Sequence, residues 1–212
     1  MCSGRVDLAF ILRAFSNGMD GVFIGGCRLG ECNYTTHGNF DALSNTYICR
    51  RLMAHIGLDP QRLRIEFMSG ADGNLLAELC DDFTAQIKAL GPIGRSEGID
   101  PNHMKLKLAA VTKLVPFIKL VERERLRVPT KSEAAYRDFF TNDEVKRLLD
   151  EIISGPLAMS QITALLRESP LSTGEIAEAL NLSPSEVSRY MKRSSRHGLV
   201  KYDTGGNRYC LV

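Results

Sequence analysis

The sequence contains no apolar run near the roughly 20 residues that a membrane-spanning helix needs, and no charged-then-apolar secretory leader opens it. Both absences lead to the expectation of a cytoplasmic protein without membrane contact. A charge excess of one sign is missing too. The chain has 27 Lys and Arg against 25 Asp and Glu, whereas a dedicated nucleic-acid binder carries a strong basic footprint. Residues 155–212 hold 7 basic and 5 acidic side chains, an excess too small to establish a polyanion partner. No Gly-x4-Gly-Lys phosphate loop occurs, because Gly25-Gly26 runs straight into Cys27. The four histidines (His37, His55, His103, His197) fall in no nucleophile arrangement and read as surface or packing residues, and Asp81-Asp82 reads as a solvated helix exterior. No catalytic centre is expected.

What is present is well patterned. A length of 212 residues with 44% hydrophobic content suits one or two domains with an ordinary core. Leu8, Ile11, Leu12 and Phe15 form a helical stripe over 7–17, stopped by Gly18. Gly21–Gly26 reads as a buried strand and 39–56 as a second helix. Arg64–Met68 is a second strand, and Asp72–Leu90 a third helix with Leu75, Leu76, Leu79, Phe83 and Ile87 as its buried face. Gly91-Pro92 closes that helix. Helices alternating with strands predict a parallel sheet covered by helices. Two strands alone do not make an independently stable sheet, so the sheet is expected to lack its N-terminal part in this chain.

Residues 91–103 read as a Gly- and Pro-rich connection, and 103–126 as a long basic amphipathic helix that Pro116 should kink. Its Glu122–Arg127 charge run reads as a solvated face or a docking face. Two shorter helices follow, over 130–136 and 142–153, with a boundary at Ser154-Gly155-Pro156. Then come a helix over 157–167 and two capping boxes, Ser172-x-x-Glu175 and Ser183-x-x-Glu186, the second with proline at the first helical position. A hairpin turning at Asp203–Asn207 ends the chain. Three helices and a hairpin in this order predict a winged helix-turn-helix. The fold class is therefore α/β: a partial parallel-sheet α/β domain over 1–92, a helical linker region over 93–154, and a C-terminal winged helix-turn-helix over 155–212.

Six cysteines in a chain read as cytosolic point away from disulfides and towards metal or redox chemistry. Cys49 and Cys80, inside predicted helices, read as small buried hydrophobes, and Cys210 lies in the wing. Cys27-x4-Cys32 is different, because it occupies a Gly-flanked loop directly after a strand (GGCRLGEC). Thiolates at that spacing can turn onto one iron, and glycines let backbone amides approach the sulfurs. Cys2 falls at the C-terminal end of where a preceding strand would lie, on the same sheet edge. Three thiolates then converge, whereas iron–sulfur clusters take four ligands. By spacing alone, an iron–sulfur site, a zinc site using His37, and no metal site all stay open.

The runs Met1-Cys-Ser-Gly-Arg-Val-Asp7, Gly18-Met-Asp-Gly-Val22, Gly26-Cys-Arg-Leu-Gly-Glu-Cys-Asn-Tyr34 and Gly38-Asn39 resemble the delta (iron–sulfur) subunit of methyl-viologen-reducing hydrogenases. Leu63-Arg64, Ala71-Asp-Gly73 and Gly91-Pro92 continue the resemblance in order over roughly residues 1–92. The resemblance implies a 2Fe–2S cluster with Cys2, Cys27 and Cys32 as ligands and the fourth ligand unidentified. It implies electron transfer between a hydrogenase or formate dehydrogenase and a flavoprotein like the A-subunit of heterodisulfide reductase. Members of that family begin earlier, with a strand and another cysteine motif. A misassigned start is therefore expected, for instance beyond a selenocysteine codon read as a stop; the competing expectation puts the missing half on another polypeptide.

The winged helix leaves a second reading open, a redox-responsive DNA-binding transcription regulator. Ser185, Ser188, Arg189, Lys192 and Arg193 share the polar side of the second helix of the motif, where they suit phosphate and base-edge contact, and Arg208 could reach from the wing. Winged helices serve equally as protein-docking modules, and docking is the expectation here.

Overall fold

The computed structural model describes residues 2–34 and 36–212. It divides into two compact units, Met1–Glu151 and Ile152–Val212. In the first, α1 (Leu8–Ser16) starts at Asp7, whose carboxylate caps the Ala9 amide, and buries Leu8, Ile11, Leu12 and Phe15. Strand β1 (Val22–Gly26) pairs in parallel with β2 (Leu63–Phe67), in the register Val22↔Leu63 to Gly26↔Phe67. Between them runs α2 (Asn39–His55), which buries Leu43, Ile48, Cys49, Leu52 and Met53. A 3₁₀ turn, Pro60–Arg62, leads into β2 and sets Arg62 fully out of solvent. Its guanidinium pairs with Glu97 at 2.6 Å and donates to the Asp20 and Gly91 carbonyls at 3.0 and 2.8 Å. This ties the segment after α3 (Gly73–Leu90) to the N-terminal ends of both strands.

Helix α3 overturns one expectation. Of its apolar stripe Phe83 is buried, while Leu75 and Leu76 are 40% and 42% exposed, and Leu79 and Ile87 are half-buried. The sheet explains the difference. Phe83 packs on Phe23 at 5.8 Å between ring centroids, and Ile87 fills the space over Gly21. A sheet of two strands has nothing left to place beneath the first two turns.

Residues expected as a helical linker supply α4 (Pro101–Arg125), α5 (Glu133–Thr141) and the start of α6 (Asp143–Glu168). Helix α4 begins two residues earlier than expected, capped by Asp100, runs through Pro116, and lays Leu108, Val111, Val115 and Ile118 into the core along α1. The helix break expected at Ser154-Gly155-Pro156 is absent, since α6 continues through it, while the two compact units divide close by, after Glu151. Pro156 forfeits the amide that would bond the Ile152 carbonyl, at a cost of about 3 kcal/mol. Leu149, Ile153, Leu157, Ile162 and Leu166 are all buried on either side of it, so the apolar stripe outweighs the local breakers.

The second unit is the expected winged helix-turn-helix. Helices α7 (Thr173–Leu180) and α8 (Pro184–Arg196) each open with a complete capping box, Ser172 with Glu175 and Ser183 with Glu186. The turn between them uses Asn181 in the left-handed region, φ 53°. Strands β3 (Val200–Asp203) and β4 (Arg208–Leu211) form the hairpin, and Leu171 makes a single antiparallel bridge to Tyr209. Ile162, Leu166, Ile176, Val187, Met191 and Val200 make the core.

Candidate functional site: a thiol cluster at the sheet edge

The C-terminal end of β1 delivers Gly26 and then Cys27 into the loop before α2. Gly26 has no room for a side chain, because a methyl there would meet Ser3 Oγ at 2.9 Å and the Phe67 ring at 3.0 Å. The N-terminal segment is thereby held against the strand end. Cys2 caps the 3₁₀ turn Ser3–Arg5, its Sγ accepting from the Gly4 amide at 3.4 Å. That sulfur lies 3.5 Å from Cys32 Sγ. Cys27 neighbours Cys32, and its Sγ lies 3.6 Å from the Asn39 side-chain amide. The fold thus brings Cys2, Cys27 and Cys32 together.

Backbone geometry directs charge onto one of them. The Tyr34 and Asn39 amides donate to Cys32 and hold its thiol below the usual range. Partial desolvation and the neighbouring Cys32 and Cys2 sulfurs push the exposed Cys27 thiol up. Asn39, 1% exposed, anchors the loop by donating to the Cys27 and Arg28 carbonyls at 2.8 Å each. Gly38 and Gly4 complete the packing. A methyl on Gly38 would sit 2.7 Å from Cys32 Sγ, and one on Gly4 would sit 2.4 Å from the Gly38 carbonyl oxygen. Asn39 and these two glycines fall within the Met1–Asp7 and Gly38-Asn39 runs quoted above, but their packing on the thiols is visible only in the fold.

The cluster is not a closed coordination shell. Among the described residues no group of three His, Cys, Asp or Glu side chains is assembled to hold a metal as it stands. His37 bonds Asp41 at 3.1 Å, with its side chain 84% exposed. Cys49 is fully buried in α2, its thiol pushed up to about 12 by burial, and Cys80 and Cys210 sit on α3 and β4. Two features favour an additional group beside the three thiols. Ser3 Oγ is buried without a hydrogen-bond partner, and an open cavity of about 340 Å³ is bordered by Cys2, Arg5, Tyr34 and His37. Amide donors aimed at soft thiolates suit an iron–sulfur or zinc centre.

In the second unit, Ser185, Ser188, Arg189, Lys192 and Arg193 all lie on the exposed face of α8. Arg208 instead pairs with Glu175 at 3.1 Å.

A small parallel α/β unit carrying a cysteine cluster, joined to a winged helix-turn-helix, is the class that fold and site define. A family model described as "Methyl-viologen-reducing hydrogenase, delta subunit" matches residues 1–91, and one described as "Bacterial regulatory protein, arsR family" matches 158–202. The iron–sulfur D-subunit of the F420-non-reducing hydrogenase of Archaeoglobus profundus is 45% identical over 91 residues, 43% of this chain and 66% of that protein. The corresponding D-subunit of Methanopyrus kandleri is 33% identical over 92 residues, 43% of this chain and 69% of its own length. The A-subunit of a ferredoxin/F(420)H(2)-dependent CoB-CoM heterodisulfide reductase of Methanosarcina acetivorans is 44% identical over 94 residues, 44% of this chain and 12% of that protein. The chain belongs to the methyl-viologen-reducing hydrogenase delta-subunit family, and carries a winged-helix extension. It spans about two thirds of the hydrogenase subunits it matches and a small part of the matched reductase polypeptide. No helix among the described residues is long and apolar enough to cross a membrane.

Proposed function

We propose that this chain is a cytoplasmic electron-transfer subunit of an oxidoreductase complex, in which Cys2, Cys27 and Cys32 hold a 2Fe–2S cluster whose fourth ligand lies outside these three. The observation that carries this reading is the convergence of three sulfurs, each with its own N–H donor: the Gly4 amide on Cys2, the Asn39 side chain near Cys27, and the Tyr34 and Asn39 amides on Cys32. A cluster bound there would supply one-electron transfer, with a potential set by such hydrogen bonds. The chain's own residues fix the sulfurs, offer donors to their negative charge, and leave the orphaned Ser3 hydroxyl to a neighbouring acceptor. The named relatives support a hydrogenase on one side and, on the other, a flavoprotein like the A-subunit of heterodisulfide reductase; formate dehydrogenase is an alternative donor. The exposed Leu75 and Leu76 on α3 support assembly with such a partner.

The test is anaerobic reconstitution of the full chain with iron and sulfide, followed by iron and sulfide determination and electron paramagnetic resonance of the reduced sample. Equal iron and sulfide, lost in Cys27→Ser and Cys32→Ser, is expected. A chain with intact thiols that takes up no iron defeats the reading. A second reading, a DNA-binding regulator, rests on the serine and arginine face of α8 and the arsR-family match. It requires binding to duplex DNA with a steep salt dependence, and co-purification with flavoprotein subunits instead of DNA would remove it.

A further inference from the structure

We infer that Cys2 and Cys32 of the metal-free chain form a reversible disulfide by exchange with a small-molecule disulfide, and that this bond closes the site to metal. The inference shares with the proposed function only the assumption that these sulfurs are ligands. It applies equally to an iron–sulfur or a zinc site.

The geometry singles out this pair. Their sulfurs are 3.5 Å apart, and a disulfide needs about 2.05 Å, so a closure of about 1.5 Å is left to side-chain rotation and a loop shift. Neither residue is locked inside a regular helix or strand: Cys2 precedes a single 3₁₀ turn, and Cys32 lies in the loop before α2. That loop turns at Gly30, φ +89°, and packs on Gly38. Both cysteines are half-buried and therefore within reach of a small reagent. Cys27, the remaining sulfur, is held at the strand end through Asn39, which bonds its carbonyl at 2.8 Å and lies 3.6 Å from its sulfur.

The chemistry balances with glutathione disulfide as oxidant. The Cys32 thiolate attacks one of its sulfurs, forming a mixed disulfide and expelling one glutathione thiolate. The Cys2 thiolate then attacks the Cys32 sulfur, the internal disulfide forms, and the second glutathione leaves. Two protein thiols lose two electrons, the reagent gains them, and the two protons pass to the departing thiolates. With two of three sulfurs in a covalent bond, one thiolate is left for a metal, so oxidation and metal loading exclude each other.

The test uses the full chain, stripped of metal under anaerobic reductant and equilibrated in glutathione redox buffers. Samples are alkylated with iodoacetamide and read by intact and peptide mass spectrometry, and a parallel set is titrated with iron. Expected are loss of alkylation at Cys2 and Cys32, a cross-linked peptide joining them, continued alkylation of Cys27, and full reversal by dithiothreitol. Cys27→Ser should still form the bond. The oxidised chain should bind no iron until reduced. A Cys27–Cys32 bond, stable glutathione adducts, or equal alkylation of all three thiols overturns the inference. Iron uptake by the reduced chain without any disulfide defeats the inference and leaves the proposed function standing. If the reduced chain instead takes up zinc and no iron, and the disulfide abolishes that uptake, the proposed function fails and the inference stands.

Discussion

The thiol loop makes its sharpest prediction at Gly38. A methyl at this position would lie 2.2 Å from the Tyr34 carbonyl oxygen and 2.7 Å from Cys32 Sγ. The first clash is with backbone, so no rotamer change relieves it. Retreat in the other direction is blocked as well, because the Gly38 carbonyl already lies against Gly4, where an added methyl would be only 2.4 Å away. Restoring an ordinary contact requires Tyr34 and Gly38 to move apart by about 1 Å, an overpacking of the kind that costs about 1–3 kcal/mol. The shift also pulls the Tyr34 amide away from Cys32. Gly38→Ala should therefore lower the stability of the metal-free first unit by that amount, and should change how fast Cys32 is alkylated relative to Cys27. Urea unfolding followed by peptide-resolved hydrogen exchange measures the first, because the two units need not unfold together. Gly70→Ala is the control, with nothing within 4 Å of the added methyl. If Gly38→Ala stays within about 0.5 kcal/mol of the parent, the level of an ordinary surface substitution, and Cys32 reacts as before, the close packing of this loop is not what holds the sulfur.

Three further outcomes follow from contacts elsewhere. Arg62→Met strands the Glu97 carboxylate in a site where the arginine is fully buried and the glutamate side chain is 10% exposed, and should cost about 3–5 kcal/mol by chemical denaturation. Burial pushes the Glu97 carboxyl up, but hydrogen bonds from Arg62 and the Asp59 amide outweigh it and leave its pKa below the ordinary value. A lowered folded pKa means the contribution is present above the unfolded pKa and lost as pH falls through the folded one. Parent stability should drop over that acid window, and Arg62→Met should flatten the drop. Cys49, with its thiol pushed up to about 12 and no exposed surface, should resist alkylation at neutral pH until the chain unfolds, as pulse labelling with and without denaturant will read. In the second unit Gly174→Ala, at an open position of α7, should raise stability by about 0.5–1 kcal/mol, whereas Ser172→Ala should lower it by about 1 kcal/mol through loss of the capping box. Thermal melts distinguish the two signs.

The elements legible in the sequence are those specified by neighbours along the chain. The stripe Leu8–Ile11–Leu12–Phe15, the paired capping boxes of α7 and α8, and the hairpin before Val212 each contain their own start, stop and period. Burial is a different matter, because it depends on what stands opposite. The apolar row of α3 was readable as a row, yet Leu75 and Leu76 face solvent where the sheet ends. Likewise, Ser154-Gly155-Pro156 has every local mark of a stop, and Ile153 and Leu157 override it by being buried on one continuous face. At the site, the Cys27-x4-Cys32 spacing and the sheet-edge position of Cys2 were visible from periodicity. The amide donors of Tyr34 and Asn39 and the close approach of Gly4 to Gly38 required the folded chain.

The bare half of α3 also bears on how much of this protein a cell can keep. Leu75 and Leu76, 40% and 42% exposed, stand on the helix that follows a two-stranded sheet with unpaired edges. A copy synthesised in excess of whatever covers that surface presents both signals that chaperones and proteases act on. The amount of this chain should then be set by the supply of its covering partner rather than by its own rate of synthesis, and overproduction alone should yield aggregate or rapid turnover.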